Sequence, residues 1–365
     1  MAAFVEWFEK EHGNLAGNWS DLFLKENQHP KYADASGHVV PIPHAPMVRR
    51  EDFEAILEAQ TRKDFRFRME DMHGADGLPH EMDYAASLGG IRFRCNQFHY
   101  FGGNTALVMR KLNEHIPDFA TLGFPVDIVL PLFGRSSGII LFAGATGSGK
   151  STSQASGLIE QTHRPIHILT IEDPVEYLIP THRAAEITQR EIGVDSRSFS
   201  MAIRAALREK PNIIMVGELR DAETIEAAVI AANSGHLVLA TTHASTASEA
   251  VRRILESVPM ENRAGLQNIL ADAMVAVIAQ KLLPRCDKPG KVLAFEVMIA
   301  SHSIRANIAS GRYDQLPSEI QQGQNEGMNL MEMRIRDLLR EGIVSEETAF
   351  AFAPNPKRLK DLLEY

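Results

Sequence analysis

Cysteine is scarce in this chain: among 365 residues only Cys95 and Cys286 carry a thiol. No C-x-x-C pair spells out a zinc knuckle, and none of the 14 histidines falls in an H-E-x-x-H motif. Any metal is therefore expected to arrive with a substrate. Long hydrophobic runs are missing as well, since nothing approaches the roughly 18 consecutive apolar residues of a membrane-spanning helix. Positive charge is in deficit, 38 Lys and Arg against 47 Asp and Glu, and the resulting net charge of −9 does not suit a dedicated nucleic-acid binder. The opening MAAFVEWFEKEHG places Glu6, Glu9 and Glu11 where a secretory signal would be basic and then apolar. With so few thiols, this leads us to expect a reducing cytoplasm.

What is present is ordinary globular usage, 44% hydrophobic and 23% charged, over a length that fits two domains. Residues 1–115 read as a small α+β domain. It has an amphipathic opening helix to about Glu11, a strand at Ser20 to Leu24, and a helix from Arg50 to Arg68. A strand pair follows, RFRCNQFHYF and TALVMRKL, turning at Gly102-Gly103. Residues 116–137 read as a linker, because Pro117, Pro125 and Pro131 discourage one long helix. From Gly138 apolar strands alternate with helices: GIILFA, a helix from about Ser151, HILTIED, a helix over Phe199 to Arg208, NIIMVGE, a helix over Glu223 to Ser234, and LVLATTH. That alternation is the mark of a parallel sheet covered on both faces, hence an α/β class. Residues from about Ser248 onward read as mostly helical, broken by Gly290, Gly311, Gly323 and Gly342, so the second domain runs over 138–365.

The sharpest motif is Gly144-Ala145-Thr146-Gly147-Ser148-Gly149-Lys150-Ser151, followed by Thr152. It matches G-x-x-x-x-G-K-S/T, sits directly after an apolar strand and opens a helix. Glycines there let backbone N–H groups turn inward around phosphate oxygens; Lys150 neutralises the β- and γ-phosphates, and the Ser151 hydroxyl belongs on Mg²⁺. ATP with Mg²⁺ is the expected ligand. A second apolar strand, Asn212 to Val216, ends in Gly217-Glu218, where an acid can hold or deprotonate an attacking water. Gly217 stands where an acidic metal-bridging residue is usual, so support for the metal is expected from Glu172 and Asp173 at the end of HILTIED together with Ser151 and Glu218. Glu172 or Asp173 would alternatively cap the following turn. His236 and His243 bracket a third strand, where a histidine serves either the site or a turn.

GATGSGKST, ILTIEDPVEY, the stretch around NIIMVGELRDAETI and SGHLVLATTHA resemble the Walker A, Asp, Walker B and His boxes of the secretion ATPases, with the spacing of the PilT/PilU branch. The resemblance extends over nearly the whole chain, including Ser303-Ile304-Arg305-Ala306-Asn307-Ile308, which is similar to the branch's AIRNLI segment. It implies an N-terminal PAS-like domain, a RecA-like core with a helical C-terminal region, and a ring of six subunits retracting type IV pili from the cytoplasmic face of the inner membrane. The implied partners are an inner-membrane platform protein and a second motor of the same branch, with no stable nucleic-acid partner. It further implies Glu172 and Glu218 serving metal and water, His236 and His243 sensing or coupling the γ-phosphate, and Arg92, Arg94 and Arg110 completing a site. The chain departs from the branch in the HYFGGN loop, where an arginine is replaced. Related machines for pilus extension, secretion or conjugation are the alternative, along with an accessory PilU-like role. Extension and type II members generally carry a longer N-terminal region, and many a four-cysteine insertion.

Overall fold

The computed structural model describes residues 2–12, 15, 19–34, 37–58, 81–112 and 115–364. Part of the expected Arg50 to Arg68 helix thus lies outside the described residues. The chain divides into two compact units. One comprises Met1–His115 with the segments Asp173–Leu178 and Glu191–Asp195; the other holds Ile116–Glu172, Ile179–Arg190 and Ser196–Tyr365.

The first unit contains α1 (Ala3–Glu11), β1 (Asp21–Lys25), β2 (Lys31–Ala33), β3 (Val39–Pro41), α2 (Arg50–Glu58), β4 (Met82–Leu88), β5 (Ile91–Tyr100) and β6 (Asn104–Lys111). The strands form an antiparallel sheet in the order β3-β2-β1-β6-β5-β4. Alternation along β5 sends Phe93, Cys95 and Gln97 into the core, where Phe4, Phe8, Phe53 and Ile56 of the helices meet them. Arg92 and Arg94 consequently share the opposite face with Arg110, which pairs directly across from Arg94. The two helices are locked together by buried Asp52, which accepts the backbone N–H groups of Phe4 (2.9 Å), Val5 (3.2 Å) and Arg49 (2.8 Å).

The second unit opens with α3 (Val126–Val129), β7 (Gly138–Ala143), α4 (Lys150–Gln161), β8 (His167–Glu172), β9 (Glu186–Glu191), α5 (Phe199–Ala206), β10 (Ile213–Val216) and α6 (Ala222–Asn233). It continues with β11 (Leu237–Thr242), α7 (Ala247–Glu256), α8 (Met260–Ala273), β12 (Met274–Pro284), β13 (Lys291–Ile299), α9 (His302–Ala309), α10 (Leu316–Gln322), α11 (Met331–Arg340), α12 (Glu346–Phe352) and α13 (Pro356–Glu364). Its sheet has the order β13-β12-β7-β11-β10-β8-β9, with β12, β7, β11, β10 and β8 running parallel. β7, β10 and β11 are buried along their whole length, which explains their unbroken apolar sequences.

The stretch after Ser248 is mostly helical over α7–α13, as expected, and it also contains the antiparallel hairpin β12–β13, which extends the sheet beyond β7. A continuous apolar run such as MVAVIAQKLL has neither helical nor alternating periodicity, so only the neighbour β7 decides its state. The expected linker over 116–137 is part of the second unit, because Phe119, Phe124, Val129, Leu132 and Phe133 lie in that unit's core.

The C-terminal helices are pinned by a buried acid. Glu296 on β13, 2% exposed, accepts the N–H of Ala247 at the start of α7 (2.7 Å) and that of Met331 at the start of α11 (3.2 Å). Burial pushes its pKa up to about 7, reinforced by Glu332 and opposed by those two hydrogen bonds and by Arg358. An unfolded glutamate titrates at roughly 4.3. The folded value is the higher one, so this group's contribution to stability is fully present below the unfolded value and is lost as pH rises through about 7. Urea unfolding is therefore expected to show the Glu296→Gln variant with a flatter decline than wild type between pH 6 and pH 8. The difference should be on the order of 1 kcal/mol. Parallel curves for the two proteins would assign the decline to other groups.

Candidate active site

Every parallel strand of the second unit delivers its carboxyl end to one edge of the sheet, and the candidate residues lie along that edge. β7 ends at Ala143 and passes into the glycine-rich loop before α4 begins at Lys150. Gly149, with φ +90°, is left-handed at the helix cap, and a Cβ on Gly144 would meet Ser148 Oγ at 2.3 Å. Only glycine allows a loop this tight, and α4 contributes the partial positive charge of its N-terminus. Lys150, 9% exposed, donates from Nζ to the carbonyl oxygens of Gly144 (2.8 Å) and Ala145 (3.0 Å), so its ammonium is held over the loop. Ser151 and Thr152 follow in the first turn of α4.

Glu172 ends β8, is 6% exposed, and accepts hydrogen bonds from the Thr170 hydroxyl (2.6 Å) and Gln189 Nε2 (3.3 Å). Gly217 is tied to that strand by donating its N–H to the Ile171 carbonyl at 2.8 Å, and its own carbonyl receives the Thr241 hydroxyl. These bonds seat Glu218 between β10 and β11. Its Oε1 lies 2.9 Å from His243 Nε2, and its Oε2 lies 2.8 Å from Arg220 Nε. A carboxylate only accepts, so Nε2 carries the His243 proton. Leu219, Arg220, Thr242, His243 and Arg253 line a polar cleft around Glu218. Arg220 escaped the sequence reading, because nothing in a strand-end Gly-Glu-Leu-Arg pattern says that the arginine folds back onto the glutamate.

His236 is not brought to this edge. It precedes β11, its carbonyl accepts the N–H of Gly138 at the start of β7, and its Nδ1 lies 3.2 Å from the Ala231 carbonyl. The six residues of β11 separate it from His243, seven steps or roughly 23 Å at about 3.3 Å per residue. Within one chain, then, His243 stands at the carboxyl edge beside Glu218 and His236 at the opposite end of β11. Arg92, Arg94 and Arg110 belong to the first unit, where Arg92 donates to the Val175 carbonyl (3.0 Å) and Arg110 pairs with Asp21 (2.8 Å). Asp173 is grouped with that unit as well. In the same unit Glu191 accepts the Val175 N–H at 3.1 Å, and burial raises its pKa.

No group of three or more His, Cys, Asp or Glu able to hold a metal occurs among the described residues. His163 and His167, four apart, face Arg183 and Thr188 respectively. For Mg²⁺, a hard cation, the donor chemistry of the Ser151 hydroxyl and the Glu172 carboxylate is suitable, whereas both oxygens of Glu218 are engaged by cationic or donor groups.

The model of the family described as "Type II/IV secretion system protein" matches residues 61–351. The chain belongs to that family. It is an ATPase, 33% identical over 350 residues to the type IV pilus ATPase PilU of Pseudomonas aeruginosa, covering 94% of this chain and 88% of the relative. It is also 36% identical over 279 residues to the PilT retraction ATPase of the same organism, covering 76% and 80% respectively. A crystal structure of the pilus retraction motor PilT with bound ADP superposes with a TM-score of 0.84 at 34% identity, over 97% of this chain and 98% of that one. Among members of this family the Glu218–Arg220 pair invites a specific test. With Arg220 65% exposed, the ion pair is worth roughly 0–1 kcal/mol, so Arg220→Ala is expected to change kcat by no more than about fivefold. A steady-state loss approaching that of a Glu218 variant would make Arg220 an equal partner in the chemistry.

Proposed function

We propose that this chain is a pilus-retraction motor that acts as a homohexameric ring at the cytoplasmic face of a membrane, coupled to a membrane-embedded platform. The observation that carries the reading is Glu218 at the carboxyl end of β10, beside a complete phosphate loop and held by His243. ATP would lie with its phosphates on the loop N–H groups, and Lys150 would meet the β- and γ-phosphates. Bound Mg²⁺, held by Ser151 and Glu172 together with the phosphates, would supply charge neutralisation. Glu218 orients a water for attack on the γ-phosphorus and takes its proton, while His243 fixes the carboxylate's rotamer. Arg92, Arg94 and Arg110, on one face of the first unit, are proposed to reach the nucleotide of a neighbouring copy. Closing and opening of such subunit interfaces would convert hydrolysis into movement.

Deleting the gene in the native host and complementing with wild type or Lys150→Ala tests this. Surplus surface pili with lost twitching, rescued only by the active form, is the expected result; bald cells would mean extension instead. A second reading is an accessory motor resembling PilU, whose sequence similarity runs over 94% of the chain against 76% for PilT, while the PilT structure superposes over 97%. Under it, the deletion would leave pili retracting unless a second motor is also impaired.

A further inference from the structure

Strand β12 runs beside β7 with Ala279 opposite Ala143, so the next residue, Gln280, arrives where the phosphate loop leaves the sheet. Its side chain comes from a part of the chain more than a hundred residues beyond the loop, and it is 1% exposed. Nε2 donates to the Ser148 carbonyl at 2.9 Å and to the Ser153 hydroxyl of α4 at 3.2 Å. A carbonyl only accepts, which settles that the amide nitrogen, rather than the oxygen, faces the loop. The approach is close: a Cβ on Gly149 would lie 3.2 Å from that nitrogen, and one on Gly144 would lie 2.6 Å from the main-chain oxygen of Gln280. Glycine at position 144 is therefore required by this neighbour's backbone, while at Gly149 the left-handed φ of +90° makes the demand.

A trans peptide unit carries its C=O and its N–H on opposite sides. Holding the Ser148 carbonyl outward, against Gln280, turns the N–H of Gly149 the other way, into the concavity of the loop. We propose that Gln280 is a positioning residue for the phosphate loop: it presets the Ser148–Gly149 peptide so that its N–H meets a phosphate oxygen without reorganisation. The side chain does not touch the nucleotide. Its effect runs through one peptide plane and through Ser153, which anchors the first turn of α4 to the same amide. The inference rests on the ATPase assignment and is independent of whether the motor retracts pili.

The test uses the full-length ATPase with Gln280→Met, near in shape but without a donor, and Gln280→Glu, near-isosteric and with a donor only when protonated. Steady-state kinetics and titration with a fluorescent ADP analogue are read beside thermal unfolding. Gln280→Met loses both hydrogen bonds from Nε2, and the one that orients the Ser148 carbonyl predicts about a tenfold rise in KM for ATP and in Kd for the analogue. At saturation kcat should stay within about twofold, because bound phosphates restore the loop. In Gln280→Glu the defect should shrink as pH falls, since a protonated carboxyl again donates to the Ser148 carbonyl, while that of Gln280→Met should not follow pH. Unchanged KM and Kd in a folded Gln280→Met protein would overturn the proposal. So would a fall in kcat and unfolding temperature with KM unmoved, or a Gln280→Glu defect indifferent to pH.

Discussion

Replacing Lys150 with alanine is expected to lower ATP turnover by about 10³-fold, with little change in unfolding temperature. Lys150 is 9% exposed and its ammonium already sits within 3.0 Å of two loop carbonyls, so it meets phosphate at short range in a largely water-excluded place. Opposite unit charges about 4 Å apart attract by roughly 4 kcal/mol at an effective dielectric near 20, and each ~1.36 kcal/mol is a factor of ten in rate. Phosphate release at saturating ATP, measured beside nucleotide affinity, checks this. Lys150→Arg should not rescue, because a planar guanidinium has neither the compactness nor the reach of an ammonium held between two carbonyls. Turnover near the wild-type rate in either variant would take Lys150 out of the transition state.

Glu218→Gln is expected to reduce kcat by about 10² to 10⁴, the usual contribution of a positioned general base, with KM for ATP nearly unchanged. The amide keeps an oxygen for His243, so the local fold survives while the proton acceptor is lost. Glu172→Gln should behave differently. That side chain is held by Thr170 and Gln189 at the neighbouring strand end, so its loss should raise the Mg²⁺ concentration needed for half-maximal turnover more than it lowers kcat at saturation. Single-turnover hydrolysis across a Mg²⁺ series separates the two. Equal kcat losses with the same Mg²⁺ dependence would merge their roles, and full activity of Glu218→Gln would remove it as the base.

The motif residues at the nucleotide edge could be read from the sequence because their chemistry is local. Gly144 to Ser151 lie in one turn, and a glycine-rich loop between an apolar strand and a helix has few other uses. Glu172, Glu218 and His243 could be placed at one edge because each ends a continuously apolar strand, and parallel strands deliver those ends to the same edge. That logic does not place His236 at this edge, since a position seven steps away in sequence lies roughly 23 Å away along a strand. It also passed over β12 and β13, whose apolar runs gain strand character only from hydrogen bonds to β7 and to each other.

Composition and motif order alone determined that the chain is an α/β P-loop ATPase. Those properties depend on residue type and short spacing. Tertiary structure decided which side chains meet: Arg220 folded back on Glu218, His243 beside the same carboxylate, Glu296 joining the starts of α7 and α11, and Gln280 set behind the loop. Each of those contacts depends on strand order and direction in the sheet. Residues far apart in the chain become neighbours only after hydrogen bonding has chosen which strand lies beside which.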